Sequence, residues 1–74
     1  MNIYAKNGDQ VYVTEESINN GYASDREVAK QYLTVGKIYT VNYTVVDSWH
    51  TSVELMEFPG ITFNSVTFQD GSDI

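Results

Sequence analysis

LTVGKIYTVNYTVVDSWHTSVELMEFPGITFNSVTF, Leu33–Phe68, is the stretch that decides the fold. From Lys37 to Val46 apolar and polar residues alternate. Tyr39, Val41, Tyr43 and Val45 are expected on one face and Ile38, Thr40, Asn42 and Thr44 on the other, the pattern of an antiparallel strand buried on one side. Asp47-Ser48 reads as a turn, with Trp49 and His50 leading into a second strand over Ser52–Phe58. There Val53 and Leu55 point one way and Ser52, Glu54 and Met56 the other. Pro59-Gly60 is a tight-turn pair, since proline presets φ and glycine accepts a positive one. A third strand begins at Ile61–Phe63, breaks for one turn at Asn64-Ser65, and resumes at Val66–Phe68.

Upstream, Asn7-Gly8 is a strong two-residue turn signal of type I′. It lies between Ile3-Tyr4-Ala5 and Gln10–Thr14, of which the second is the firmer strand. Glu15–Ala23 reads as a loop because Asn19, Asn20 and Gly21 resist helix and strand alike. Ser24 and Glu27 have capping-box spacing, which predicts a short helix over residues 25–32 with Val28, Ala29, Tyr32 and Leu33 on its docking face. Residues 69–74 are polar and are expected to fray. These elements fit a mostly β domain over residues 1–74, a strongly bent antiparallel sheet or partly open barrel of about five strands with one short α-helix.

Seventy-four residues with a 42% hydrophobic content allow one small core and leave little room for a deep substrate cavity. The chain has no cysteine, so a disulfide framework and a thiolate zinc site are excluded. The opening MNIYAKNGDQ has no apolar run of the signal-peptide kind, and no stretch reaches the roughly 20 apolar residues of a membrane span. The expectation is a soluble protein of the bacterial cytoplasm without membrane contact. Net charge is −6, and its distribution is uneven. Residues 38–74 carry Asp47, Glu54, Glu57, Asp70 and Asp73 and no Lys or Arg. That sign repels phosphate, so direct nucleic-acid binding is not expected; it serves solubility, with a basic partner as the alternative use of the charge.

No catalytic constellation stands out. His50 is the only histidine, and neighbouring Asp47 and Ser48 on a turn do not converge on one reacting atom. Glu54 and Glu57 point to opposite faces of a strand, and Asp70 and Asp73 sit on the tail, so neither metal nor cofactor is expected. The expectation is a non-enzymatic protein. Six Tyr, three Phe and one Trp are many for this length. Tyr39, Phe63 and Phe68 suit the core, whereas Tyr12, Tyr22, Tyr43, Trp49 and Phe58 are candidates for exposure. Trp49, His50, Glu54, Met56, Glu57 and Phe58 form the protein-binding surface that the sequence suggests.

LTVGKIYTV, with Leu33, Gly36, Lys37, Tyr39 and Val41, resembles the entry into the barrel of small SH3-like proteins encoded by bacteria and their phages. Phe58–Phe68 is similar to the closing hairpin, one-turn 3₁₀ helix and last strand of that fold. With WHTSVELMEFPG, the chain looks most like small proteins of phages and prophages of Gram-positive bacteria. The ALYDY-type motif of proline-peptide-binding SH3 domains has no counterpart, so polyproline binding is not implied. The resemblance implies a phage accessory protein that binds a host or phage protein. Two alternatives accompany it. One is an acidic nucleic-acid mimic that inhibits a host nucleic-acid enzyme, of the anti-restriction or anti-CRISPR type. The other is a self-associating protein that pairs through free strand edges.

Overall fold

A computed structural model describes residues 1 and 4–71. Five strands form one antiparallel sheet in the order β4-β3-β2-β1-β5. They are β1 (Gln10–Tyr12), β2 (Ile38–Val46), β3 (Thr51–Leu55), β4 (Thr62–Asn64) and β5 (Gln69–Asp70). The helix α1 (Ala23–Tyr32) and a 3₁₀ turn at Ser17–Asn19 fill the connection from β1 to β2, and a second 3₁₀ turn at Ser65–Thr67 separates β4 from β5.

The bend of the sheet is made within β2. Ile38, Tyr39 and Thr40 pair with β1, and from Val41 onward the strand pairs with β3. Just after this handover Val41 faces Leu55 but Tyr43 faces Glu54, so Asn42 is an extra residue and the strand bulges there. A bulge bends a strand and raises its local twist. It also exchanges the faces beyond it. The expected apolar row therefore stops at Val41: Tyr39 and Val41 are buried, but Tyr43 and Val45 stand in solvent, and Thr44 instead lies opposite the buried Val53. A one-residue slip has this consequence for every side chain downstream.

The concave side of the sheet holds one core cluster. Val11, Val13, Tyr39, Val41, Val53, Leu55, Phe63 and Phe68 line it, and Ala29 of α1 and Leu33 at its C-cap close it from the helix side. The three aromatics assigned to the core from sequence are thus buried. Phe58 bridges to them edgewise, 6.0 Å from the Tyr39 ring and 6.2 Å from Phe63, with Tyr32 of α1 at 5.6 Å. Such tilted pairs add to the stabilisation that area burial gives.

Several boundaries differ from the sequence reading. The Asn7-Gly8 turn closes from the Asp9 amide to Lys6 O at 3.0 Å, but only Gly8 has a positive φ, of 95°, so it is type II rather than I′. The turn docks on Val41 instead of continuing a hairpin, the Gly8 amide donating to Val41 O at 2.9 Å and Asp9 O accepting the Val41 amide at 2.8 Å, and Ile3 of the expected first arm lies outside the described residues. Ser17–Asn19 is not plain loop, because Thr14 and Ser17 exchange hydrogen bonds: each hydroxyl accepts the other's amide, at 2.8 and 2.9 Å. The helix starts at Ala23, without a Ser24–Glu27 box. Asp25 instead accepts the Tyr22 amide at 2.9 Å and the Asn64 side-chain amide at 3.1 Å, so a contact from β4 fixes its first turn. The Pro59-Gly60 turn forms as expected, with Gly60 at φ 85°. Val66 and Thr67 belong to the 3₁₀ turn, and the last strand is Gln69–Asp70, which pairs with Tyr12 and Val11 where fraying was expected. Residues 72–74 lie outside the described set.

Candidate functional site

Trp49 is the most exposed large hydrophobic side chain of the described residues, at 86%. The hairpin between β2 and β3 places it there. The Asp47 amide donates to His50 O at 3.0 Å, which leaves Ser48 and Trp49 at the tip, and Asp47 Oδ1 accepts the Ser48 amide at 2.7 Å. Trp49 therefore sits in the turn rather than at the start of the next strand, and its indole has no sheet to pack against.

Beside this hairpin runs an open cleft of about 540 Å³, lined by residues 20–22, 49–51 and 64–66. Its far wall is the entry to α1, where Tyr22 is 66% exposed. Its end is the second 3₁₀ turn, which presents Val66. These walls are tied together by side-chain amides. Asn20 donates to Val66 O at 3.0 Å, and buried Asn64 donates to Asp25 while accepting the Val66 amide at 3.2 Å. Gly21 sits so close that a side chain there would meet Asp25 Oδ2 at 3.0 Å and Val66 Cγ2 at 3.3 Å. Arg26 reaches the same corner and donates to Gly21 O at 2.7 Å. The far wall and the end of the cleft are held in shape before anything enters it, which lowers the ordering cost of binding.

The six residues singled out in the sequence do not make one surface. Trp49 and His50 border the cleft, at the start of β3. Met56, Glu57 and Phe58 follow the other end of that strand, about 17 Å away at 3.3 Å per residue over five residues. Met56 is exposed there, Phe58 is half-buried among aromatics, and Glu57 accepts the Thr40 amide through both oxygens, at 2.9 and 3.1 Å. Glu54 lies between the two groups and is buried on the outer side of the sheet. Its carboxylate accepts from Asn42 Nδ2 at 2.7 Å, the Gly60 amide at 3.1 Å and the Tyr43 hydroxyl at 3.2 Å. The donors, Asn42 first and Gly60 next, hold its carboxyl below the usual carboxylate range, and the same carboxylate pushes the Tyr43 phenol up. Glu54 is thus a brace between the bulge and the Pro59-Gly60 turn.

Tyr22 and Val66 complete the cleft, and only Tyr22 was among the exposed candidates in the sequence. Val66 carries no sequence signal for this role, because it lies in a 3₁₀ turn that runs on to Thr67, where the pattern has the strand already resumed. Among the described residues no group of three His, Asp or Glu side chains comes together as a metal site, and no helix is long and apolar enough to cross a membrane.

The family model described as bacteriophage T4 protein Y07B matches residues 2–72. The chain belongs to that family. No curated protein and no solved structure gives a match. The Y07B match makes this a phage protein, in line with the expectation from Leu33–Phe68, and it also takes in the β1–α1 segment upstream of that stretch. All three cleft-forming segments of the Y07B-family chain lie inside the matched span.

Proposed function

We propose that this Y07B-family chain is a non-enzymatic accessory protein that acts by binding a protein of the phage or its bacterial host through the cleft beside Trp49. The observation that carries this reading is an indole left 86% exposed at the tip of a hydrogen-bonded hairpin, next to a prebuilt cleft. Exposed Trp and Tyr gain more on being covered than other side chains do, and they dominate binding energy where they occur together. The lining offers aromatic, amide and hydroxyl groups with one imidazole, a set suited to docking. The strand order, with a 3₁₀ turn before the last strand, supports the SH3-like reading of the fold.

The acidic-mimic alternative finds less support. Glu54 and Glu57, two of its five acids, are engaged by the protein's own donors, and Asp73 lies outside the described residues. The test is capture of tagged protein from host lysate at low and high salt, beside Trp49→Ala. A partner kept at both salts and lost in the variant supports the aromatic cleft. A nuclease or polymerase held only at low salt, regardless of Trp49, would replace this reading with the mimic.

A further inference from the structure

We infer that the occupant of the cleft is a basic peptide segment of the partner, with an Arg or Lys side chain seated on the Trp49 ring. The inference rests on the cleft being the binding site, and it names the chemistry of what enters. The two aromatic walls, Trp49 and Tyr22, are both exposed and line the same space. An aromatic face attracts a cation through its quadrupole, most strongly when the ring is tryptophan. Two acids, Asp47 and Asp25, stand near the cleft against one cation, Arg26. Asp47 is two residues from Trp49 on the same hairpin, and Asp25 stands behind the far wall, its Oδ2 at 3.0 Å from where a side chain on Gly21 would begin. The strands and turns from Ile38 onward carry acids and no Lys or Arg.

One cation, Arg26, does reach the corner. Its guanidinium is engaged by Gly21 O at 2.7 Å and so sits at the helix end of the cleft, away from the hairpin tip. An incoming cation is therefore directed to the Trp49 side. Val66 is left to receive an apolar neighbour of that cation, which gives the segment an order: a basic side chain at the hairpin and an apolar one at the 3₁₀ turn. A neutral apolar peptide would fill the same volume without using the field, and an acidic one would be repelled by it.

The protein carries one tryptophan, so Trp49 emission reports on the site alone. The probe is a displayed library of random dodecapeptides, selected on the wild type and on Trp49→Ala, followed by fluorescence titration of synthetic hits. The inference expects Trp49-dependent hits enriched in Arg or Lys, and an Arg→Gln change in the hit that weakens binding about 5-fold or more, the worth of one partly desolvated cation–π contact. Trp49-dependent hits that are neutral, and indifferent to removal of their charge, overturn the inference while leaving protein binding at the cleft intact. Hits that are all indifferent to Trp49→Ala overturn both. Self-association that disappears in Trp49→Ala would make the occupant a second copy of this acidic chain and would likewise overturn it.

Discussion

Asn42 Nδ2 lies 2.7 Å from Glu54 Oε2, and this bond locks the bulged residue of β2 to the strand it bulges away from. Glu54 also receives the Gly60 amide and the Tyr43 hydroxyl, so one carboxylate joins the bulge, the neighbouring strand and the β3–β4 turn. Glu54→Ala removes three acceptor contacts at once and leaves donors under a partly closed surface. The expected loss exceeds that of one ordinary hydrogen bond. For a domain of this length it lowers Tm by about 4–8 °C or more, read by circular dichroism. Glu54→Gln keeps part of the cradle and is expected to fall between the two. A Tm unchanged in Glu54→Ala would mean that the bulge is held by backbone pairing alone.

The same brace sets a pH dependence at both ends. Glu54 titrates below its unfolded value when folded, so the stability it gives is fully present above the unfolded value of about 4.3 and is lost as pH falls through the lower, folded one. Tyr43 titrates above its unfolded value of about 10, so its contribution is present below that pH and is lost as pH rises through the higher, folded value. Urea midpoints from pH 2 to 7 should therefore show a gap between wild type and Glu54→Gln that is constant near neutrality and closes in acid. A gap that widens in acid would contradict the assignment.

Much of the fold is legible in the sequence because its signals are local. Pro59-Gly60 makes its turn from its own torsional preferences, and the inward pair Val53 and Leu55 follows from strand alternation. What the sequence hides depends on distant partners. The bulge at Asn42 depends on Glu54, twelve residues away, and simple alternation carries Tyr43 and Val45 to the wrong face. The helix start depends on an Asn64 amide thirty-nine residues away, which draws Asp25 into the capping role that Ser24 and Glu27 fit by spacing. Gln69–Asp70 is a strand by pairing with β1, since two polar residues carry no periodicity of their own. For the site, Trp49 was visible as an aromatic beside a turn. Grouping it with Met56 and Phe58 failed because nearness in sequence along an extended strand means separation in space.

Tyr39 offers a cleaner single-bond test. Its ring is buried in the core and its hydroxyl accepts the Thr34 amide at 2.8 Å, tying the residue after the helix cap to the start of β2. Tyr39→Phe keeps the packing and leaves that amide without its acceptor. The expected cost is about 1–2 kcal/mol, measurable in a urea titration with an unchanged slope. A changed slope would instead point to loosening of the whole α1–β2 junction.

Trp49 should behave as a residue retained for something other than folding. With 86% of its surface in water, Trp49→Ala is expected to shift stability by no more than about 0.5 kcal/mol. By the same argument, wild-type indole emission should hardly move while circular dichroism reports unfolding. A large shift of emission on unfolding would show that the ring is covered in the native state. The charge around it can be read with small quenchers. Caesium should quench Trp49 more effectively in the folded protein, relative to its unfolded chain, than iodide does at low ionic strength, because the local field concentrates cations at the hairpin. The difference should fade as added salt shortens the screening length to a few ångströms. Equal behaviour of the two ions at low salt would remove the electrostatic half of the case for a basic peptide and leave only the aromatic half.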